Sequence, residues 1–138
     1  MPRRSSTNPT EREMELLEVL WRKDGTTVAE IIEALDGSPA YTTIVTMLKI
    51  MEEKGYVKGT REGRSVVYRP SVSKEEVERR FLRDVLRRVF GGSATRLMAR
   101  LLSSEEVSEE EIEEIKRLIA LKEEGRDLAP SEGSGTPG

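Results

Sequence analysis

The side chains best suited to chemistry are Thr42, Thr43, Thr46 and Lys49, which share one short stretch, and Arg61 and Arg64, which stand either side of Gly63. Hydroxyl, ammonium and guanidinium groups in this pattern make no catalytic couple. They can hydrogen-bond to base edges, offer a threonine methyl to a thymine methyl, or neutralise phosphates. Composition leaves a carboxylate-only Mg²⁺ or Ca²⁺ site possible but removes the usual thiol and imidazole chemistry. The 138 residues contain neither Cys nor His, so the usual thiolate, the usual general base and the commonest transition-metal ligand are all missing. No D-x-D-x-D-G loop and no glycine-rich phosphate cradle of standard spacing occurs. The expectation is a protein that is not an enzyme and uses no cofactor or metal.

Those side chains have to be held by helices. Four hydroxyl–glutamate pairs, Thr10/Glu13, Thr27/Glu30, Ser73/Glu76 and Ser108/Glu111, mark helix starts, because each hydroxyl caps backbone N–H groups while the glutamate reaches back. A first helix is expected over residues 11–23 with Met14, Leu17, Val19, Leu20 and Trp21 inward. A second is expected over 28–35 with Val28, Ile31, Ile32 and Leu35 inward. The third runs over 41–54 to Gly55, and Ile44, Met47, Leu48 and Met51 form its inner row at i, i+3, i+4, i+7. Thr42, Thr43, Thr46 and Lys49 are left on other faces. Three threonines lower helix propensity, so something other than helix stability keeps them; Thr43 and Thr46, three apart, share a face. Tyr41 has two readings, a stacking or phosphate contact near the helix start and plain packing.

Two β-rich runs, 56–58 and 65–69, flank Arg61-Glu62-Gly63-Arg64 and predict a hairpin with a basic tip. Three helices and then such a hairpin is the order of a winged helix-turn-helix, whose third helix fits a major groove while the wing reaches flanking backbone. Charge agrees in sign: residues 37–70 carry a net +3 in a chain of net −3. The candidate DNA-binding set is therefore Tyr41, Thr42, Thr43, Thr46, Lys49, Arg61 and Arg64.

The rest reads as helical. Charged and hydrophobic residues each make up 36%, against roughly 25% and 45–50% in ordinary globular chains. So lean an apolar supply does not cover the stripes after residue 74 within one chain. A homodimer is expected through Phe81, Leu82, Val85, Leu86, Val89, Leu97, Leu101, Ile112, Ile115 and Ile119. Arg79, Arg80, Arg83, Arg87 and Arg88 are read as ion-paired with Glu75, Glu76, Asp84 or the acidic run 105–114 rather than as a second nucleic-acid patch. The glutamates of 109–114 suit a helix dipole without any metal. The organisation expected is a flexible arm (1–9), a winged-helix DNA-binding domain (10–72), a helical dimerisation domain (73–124) and a disordered tail (125–138). No apolar run is long enough to span a membrane, nor does the start have a signal peptide's apolar core, and the expected location is cytoplasmic.

The run Ala40-Tyr41-Thr42-Thr43-Ile44-Val45-Thr46-Met47-Leu48, followed by Glu53-Lys54-Gly55-Tyr56-Val57, closely resembles the BlaI/MecI/CopY family of penicillinase-type repressors. Further matches are Glu15-x-x-Glu18-Val19-Leu20-Trp21, Gly63-Arg64 before Tyr68-x-Pro70, and the late Leu-rich, Gly-Gly and Ser-Glu-Glu-Glu-Ile run, so the resemblance covers about residues 10–122. It implies a mainly α protein, a winged helix followed by dimerisation helices, acting as a dimeric repressor on a palindromic, dyad-symmetric DNA operator. The other reading of the same residues is a winged-helix protein-interaction module without sequence-specific DNA binding. Three departures stand out. The cysteine cluster of the copper branch is absent, Arg100-Leu101 stands where the resistance branch is cleaved at Asn-Phe, and Ile50 stands where many relatives are basic.

Overall fold

The computed structural model describes residues 8–128; residues 1–7 of the expected arm and 129–138 of the expected tail lie outside the described residues. Three helices come first, α1 (Glu11–Arg22), α2 (Val28–Ala34) and α3 (Tyr41–Glu53). The first two begin with complete capping boxes: the Thr10 and Thr27 hydroxyls accept from the Glu13 and Glu30 N–H groups, and both glutamates accept in return from the cap N–H. Strands β1 (Val57–Glu62) and β2 (Ser65–Pro70) follow as an antiparallel hairpin, with Val57 opposite Pro70 and Glu62 opposite Ser65.

That register leaves only Gly63 and Arg64 in the loop. Gly63 has φ +66°, as a glycine does at the first position of a tight II′ hairpin turn. The expected four-residue tip is corrected to two residues: Arg64 sits at the tip and Arg61 lies within β1. Thr26, just before α2, extends the sheet by one bridge. Its N–H donates to the Tyr68 carbonyl at 3.1 Å, and the Tyr68 N–H donates back at 2.8 Å.

The core beneath these elements is made by Leu16, Leu17, Leu20, Ile31, Ile44, Leu48, Met51, Tyr56 and Val57, each no more than 2% exposed. Burying each large side chain stabilises the fold by roughly 1.5–3 kcal/mol relative to exposure. Leu16 was not expected inward yet is fully buried, whereas Met14, Trp21, Ile32 and Met47 pack around the rim. Trp21 stays at the edge for a chemical reason: its Nε1–H donates to the Val72 carbonyl at 3.0 Å, and a buried indole N–H needs such a partner. Glu13 is buried and accepts from the Thr10 N–H at 2.9 Å and from Lys54 Nζ at 3.1 Å. A carboxylate taken out of water is costly without such pairing, and this pair fastens the start of α1 to the end of α3.

Val72 and Val77 are buried with the same core, and the first compact unit continues to Val85. Asn8 corrects the flexible arm at its last residues. It is 9% exposed and its Nδ2 donates to Asp84 Oδ2 at 3.1 Å.

Helix α4 (Lys74–Arg88) starts at Ser73, whose hydroxyl accepts from the Glu76 N–H, while the Glu76 carboxylate pairs with Arg80 at 2.9 Å. That pair is one of those expected for the arginine run. Gly91 and Gly92 follow, and then α5 (Ala94–Leu102) and α6 (Glu109–Glu123), the latter with a complete capping box at Ser108. Neither α5 nor α6 contains a buried residue. The chain is thus mainly α: a winged helix-turn-helix followed by further helices.

Candidate nucleic-acid interface

Helix α3 is divided lengthwise. Ile44, Leu48 and Met51 are fully buried, while Thr42, Thr43, Thr46 and Lys49 are all exposed. At about 100° per residue, Thr42, Thr46 and Lys49 lie opposite the buried row and Thr43 lies on its flank. Two further residues of this surface lie outside the candidate set: Val45, which sequence reasoning missed, and Ile50, which it marked only as a departure from relatives; they are 37% and 42% exposed. Their signal was available, since neither falls on the i, i+3, i+4, i+7 row. The cap residue of α3 is Ala40, which supplies no side-chain hydrogen bond. The first N–H groups of α3 therefore lack the side-chain cap that α1 and α2 have.

The wing has two chemically different faces, because side chains alternate along a strand. Val57, Gly59 and Arg61 share one face with Val66 and Tyr68 of β2. This face looks toward the helices: Val57 is in the core and Tyr68 packs against it. The Tyr68 ring lies over Gly59, where a Cβ would come within 2.7 Å of its Cε2. Burial pushes the Tyr68 phenol up, and negative charge on Glu52 adds to the shift.

On the other face, Arg69 Nε donates to Asp24 Oδ1 at 2.9 Å and its Nη1 donates to Glu62 Oε2 at 2.8 Å. Glu62 foremost, and then Asp24, hold its guanidinium more firmly protonated than usual. Arg61, Arg64 and Lys49 differ. All three are exposed, and none makes an ion pair among the described residues.

Tyr41, Arg61 and Arg64, separated in sequence by up to 23 positions, come together in one groove of about 360 Å³, with Thr27, Ser65 and Val66 also in its lining. Tyr41 is 61% exposed, so plain packing does not describe it. Thr42, Thr43, Thr46 and Lys49 are not in that lining; they stand on the open side of α3.

The residues expected at a dimer contact are exposed or only half-buried in the single chain. Phe81, Leu82, Val89, Leu101 and Ile119 are between 41% and 63% exposed, and Val85, Leu86, Leu97, Ile112 and Ile115 are half-buried. Among the described residues, no group of acidic side chains could hold a metal, and no helix is long and apolar enough to cross a membrane.

A family model described as penicillinase repressor matches residues 9–121. The chain is 26% identical over 112 residues to the penicillinase repressor of Bacillus licheniformis, covering 80% of this chain and 88% of that protein. It is 29% identical over 127 residues to the transcriptional regulator BlaI of Mycobacterium tuberculosis, covering 90% and 91% respectively. Among solved structures it is similar to the monomeric form of Bacillus licheniformis BlaI in complex with the blaP half-operator, at 28% identity, over 54% of this chain and 88% of that one, with a TM-score of 0.41.

Proposed function

This chain belongs to the penicillinase repressor family, whose members are transcriptional repressors and not enzymes, and from that premise we propose that it is a homodimeric repressor of a dyad-symmetric operator. The observation that carries the reading is the lengthwise division of α3. Its apolar row is spent on the core, and its hydroxyl row, with Lys49, is left without a hydrogen-bond or ion-pair partner among the described residues. In this reading α3 enters the major groove, where Thr42, Thr43 and Thr46 meet base edges or adjacent backbone and Lys49 meets phosphate or a guanine edge. Tyr41, Arg61 and Arg64 hold the flanking backbone.

Dimerisation is supported by the bareness of the C-terminal helices. Helices α5 and α6 contain no fully buried residue, so Phe81, Leu82, Val89, Leu101 and Ile119 would each forfeit part of their transfer free energy in a monomer. A second copy covers them and places two α3 helices on two half-sites. Such a protein works in the cytoplasm, where its DNA is.

Val45 and Ile50 favour a second reading, since exposed aliphatic side chains on α3 are also what a protein-docking helix carries. Salt dependence separates the two. Fragments of the source genome selected by the protein should share a palindrome, and their affinity should fall linearly with log salt. Sedimentation should find a dimer at micromolar concentration. A monomer there, or affinity indifferent to salt, would overturn the proposal.

A further inference from the structure

We propose that Tyr41, Arg61 and Arg64 form a single clamp for one phosphodiester of the DNA backbone, seated in the groove between the start of α3 and the wing. The clamp rests on the DNA-binding reading and adds to it a site with a defined occupant. Three independent features of the fold place the residues there. The strand register turns Arg61 to the helix side of the wing, on the face that carries Val57 and Tyr68. The two-residue turn sets Arg64 at the tip, and Tyr41 opens α3. All three line the same groove, and no carboxylate does.

Two guanidinium groups lining one groove concentrate positive charge there, which an anion between them would offset. Elsewhere on this wing the chain supplies one: Arg69 has Asp24 and Glu62. In the groove it supplies none, since Arg61 and Arg64 have no ion-pair partner among the described residues. The occupant that fits is an external oxyanion with several acceptor oxygens, which planar guanidinium forks bind in parallel and a phenol O–H meets with a further bond. A backbone phosphodiester has those oxygens and arrives at this position when α3 lies in the major groove. Tyr41 lines the groove opposite the wing residues Ser65 and Val66, with its side chain 61% exposed. The clamp therefore positions α3 and reads no base.

The test uses the full-length protein and a fragment it selects from genomic DNA. Tyr41→Phe, which removes only the hydroxyl, should weaken binding about tenfold, as loss of a hydrogen bond to a charged group does. In an Arg64→Ala background the same change should cost about twofold or less, because the phosphate is no longer held. Replacing backbone phosphates one at a time with uncharged methylphosphonate should reveal one position per half-site where the natural protein loses about tenfold and the Arg61→Ala/Arg64→Ala protein loses almost nothing. Arg61→Lys keeps the charge without the fork and should lie between the two, which guards against a folding defect in Arg61→Ala. Losses that simply multiply, or no position that distinguishes the proteins, would refute the clamp while DNA binding stood. A natural protein without salt-dependent DNA binding would remove the parent reading and the clamp together.

Discussion

Substituting two neighbours on α3, Leu48→Ala and Thr46→Val, separates holding from reading. Leu48 is fully buried beside Ile44 and Met51 in the core, so the truncation should cost about 2–5 kcal/mol through lost transfer and the cavity left behind. For a domain of this size each kcal/mol moves the melting temperature by roughly 4–8 °C, so a fall of at least about 8 °C is expected. Thr46 is exposed. Valine keeps its volume and β-branch and removes only the hydroxyl, so stability should stay within about 0.5 kcal/mol. If that hydroxyl meets a base, affinity for the selected operator should fall by roughly 1–3 kcal/mol, with a smaller loss on random DNA. Thermal melts followed by circular dichroism, alongside titrations on both DNAs, measure the pair. If Thr46→Val lowered the melting temperature and left operator preference intact, the outward assignment of this face would be wrong.

Gly59→Ala should destabilise by about 1–3 kcal/mol as an overpacking change, because the new methyl meets the Tyr68 ring at 2.7 Å; an unchanged melt would show that the ring moves freely. Burial first, and then the Glu13 charge, push the Tyr56 phenol up against an opposing Arg80, so its contribution to stability is whole below about pH 10 and is lost as pH rises beyond that. Tyr56→Phe should flatten the alkaline limb of melting temperature against pH, and a limb of unchanged steepness would count against this origin. A chain ending at Val85 should fold as a monomer, whereas one ending at Ser73 should melt lower, having lost Val77 and the Asp84 partner of Asn8; equal melts would place the end of the first unit earlier. Arg69→Ala should loosen the wing and leave the salt slope of DNA binding unchanged, whereas Arg64→Ala should lower that slope by about 1.

The elements were legible where local rules suffice. Caps at Thr10, Thr27 and Ser108 and the 3.6-residue rows of α2 and α3 gave helix limits within one or two residues of those observed. Helix α1 was harder. Leu16, Leu17, Val19, Leu20 and Trp21 are nearly contiguous, so periodicity cannot say which of them is central, and only packing against α2 and α3 selects Leu16. The wing was legible as a hairpin but its tip was not. Lys58-Gly59-Thr60-Arg61-Glu62 has the composition of a turn and is made a strand by β2 alongside it. Asn8 was illegible for a plainer reason: its partner Asp84 is 76 residues away. In the candidate site, residue types showed which groups could meet DNA, and tertiary structure alone gathered Tyr41, Arg61 and Arg64 into one groove.

The three wing arginines show how far residue type falls short of role. Arg61, Arg64 and Arg69 are equal in sequence, yet Arg69 is occupied by Asp24 and Glu62 and the other two are not. Strand parity makes the difference, since Arg69 and Glu62 fall on the outer face and Arg61 on the inner one. Open arginines aid recognition only if the hairpin holds them at a fixed distance from α3; otherwise the cost of ordering it falls on binding. Three contacts limit that cost in advance. The Thr26 bridge joins β2 to the connection before α2, the Tyr68 ring closes over Gly59, and Arg69 ties the strands to Asp24. Thr26, Gly59 and Asp24 therefore touch no DNA in this reading and still decide where Arg61 and Arg64 stand.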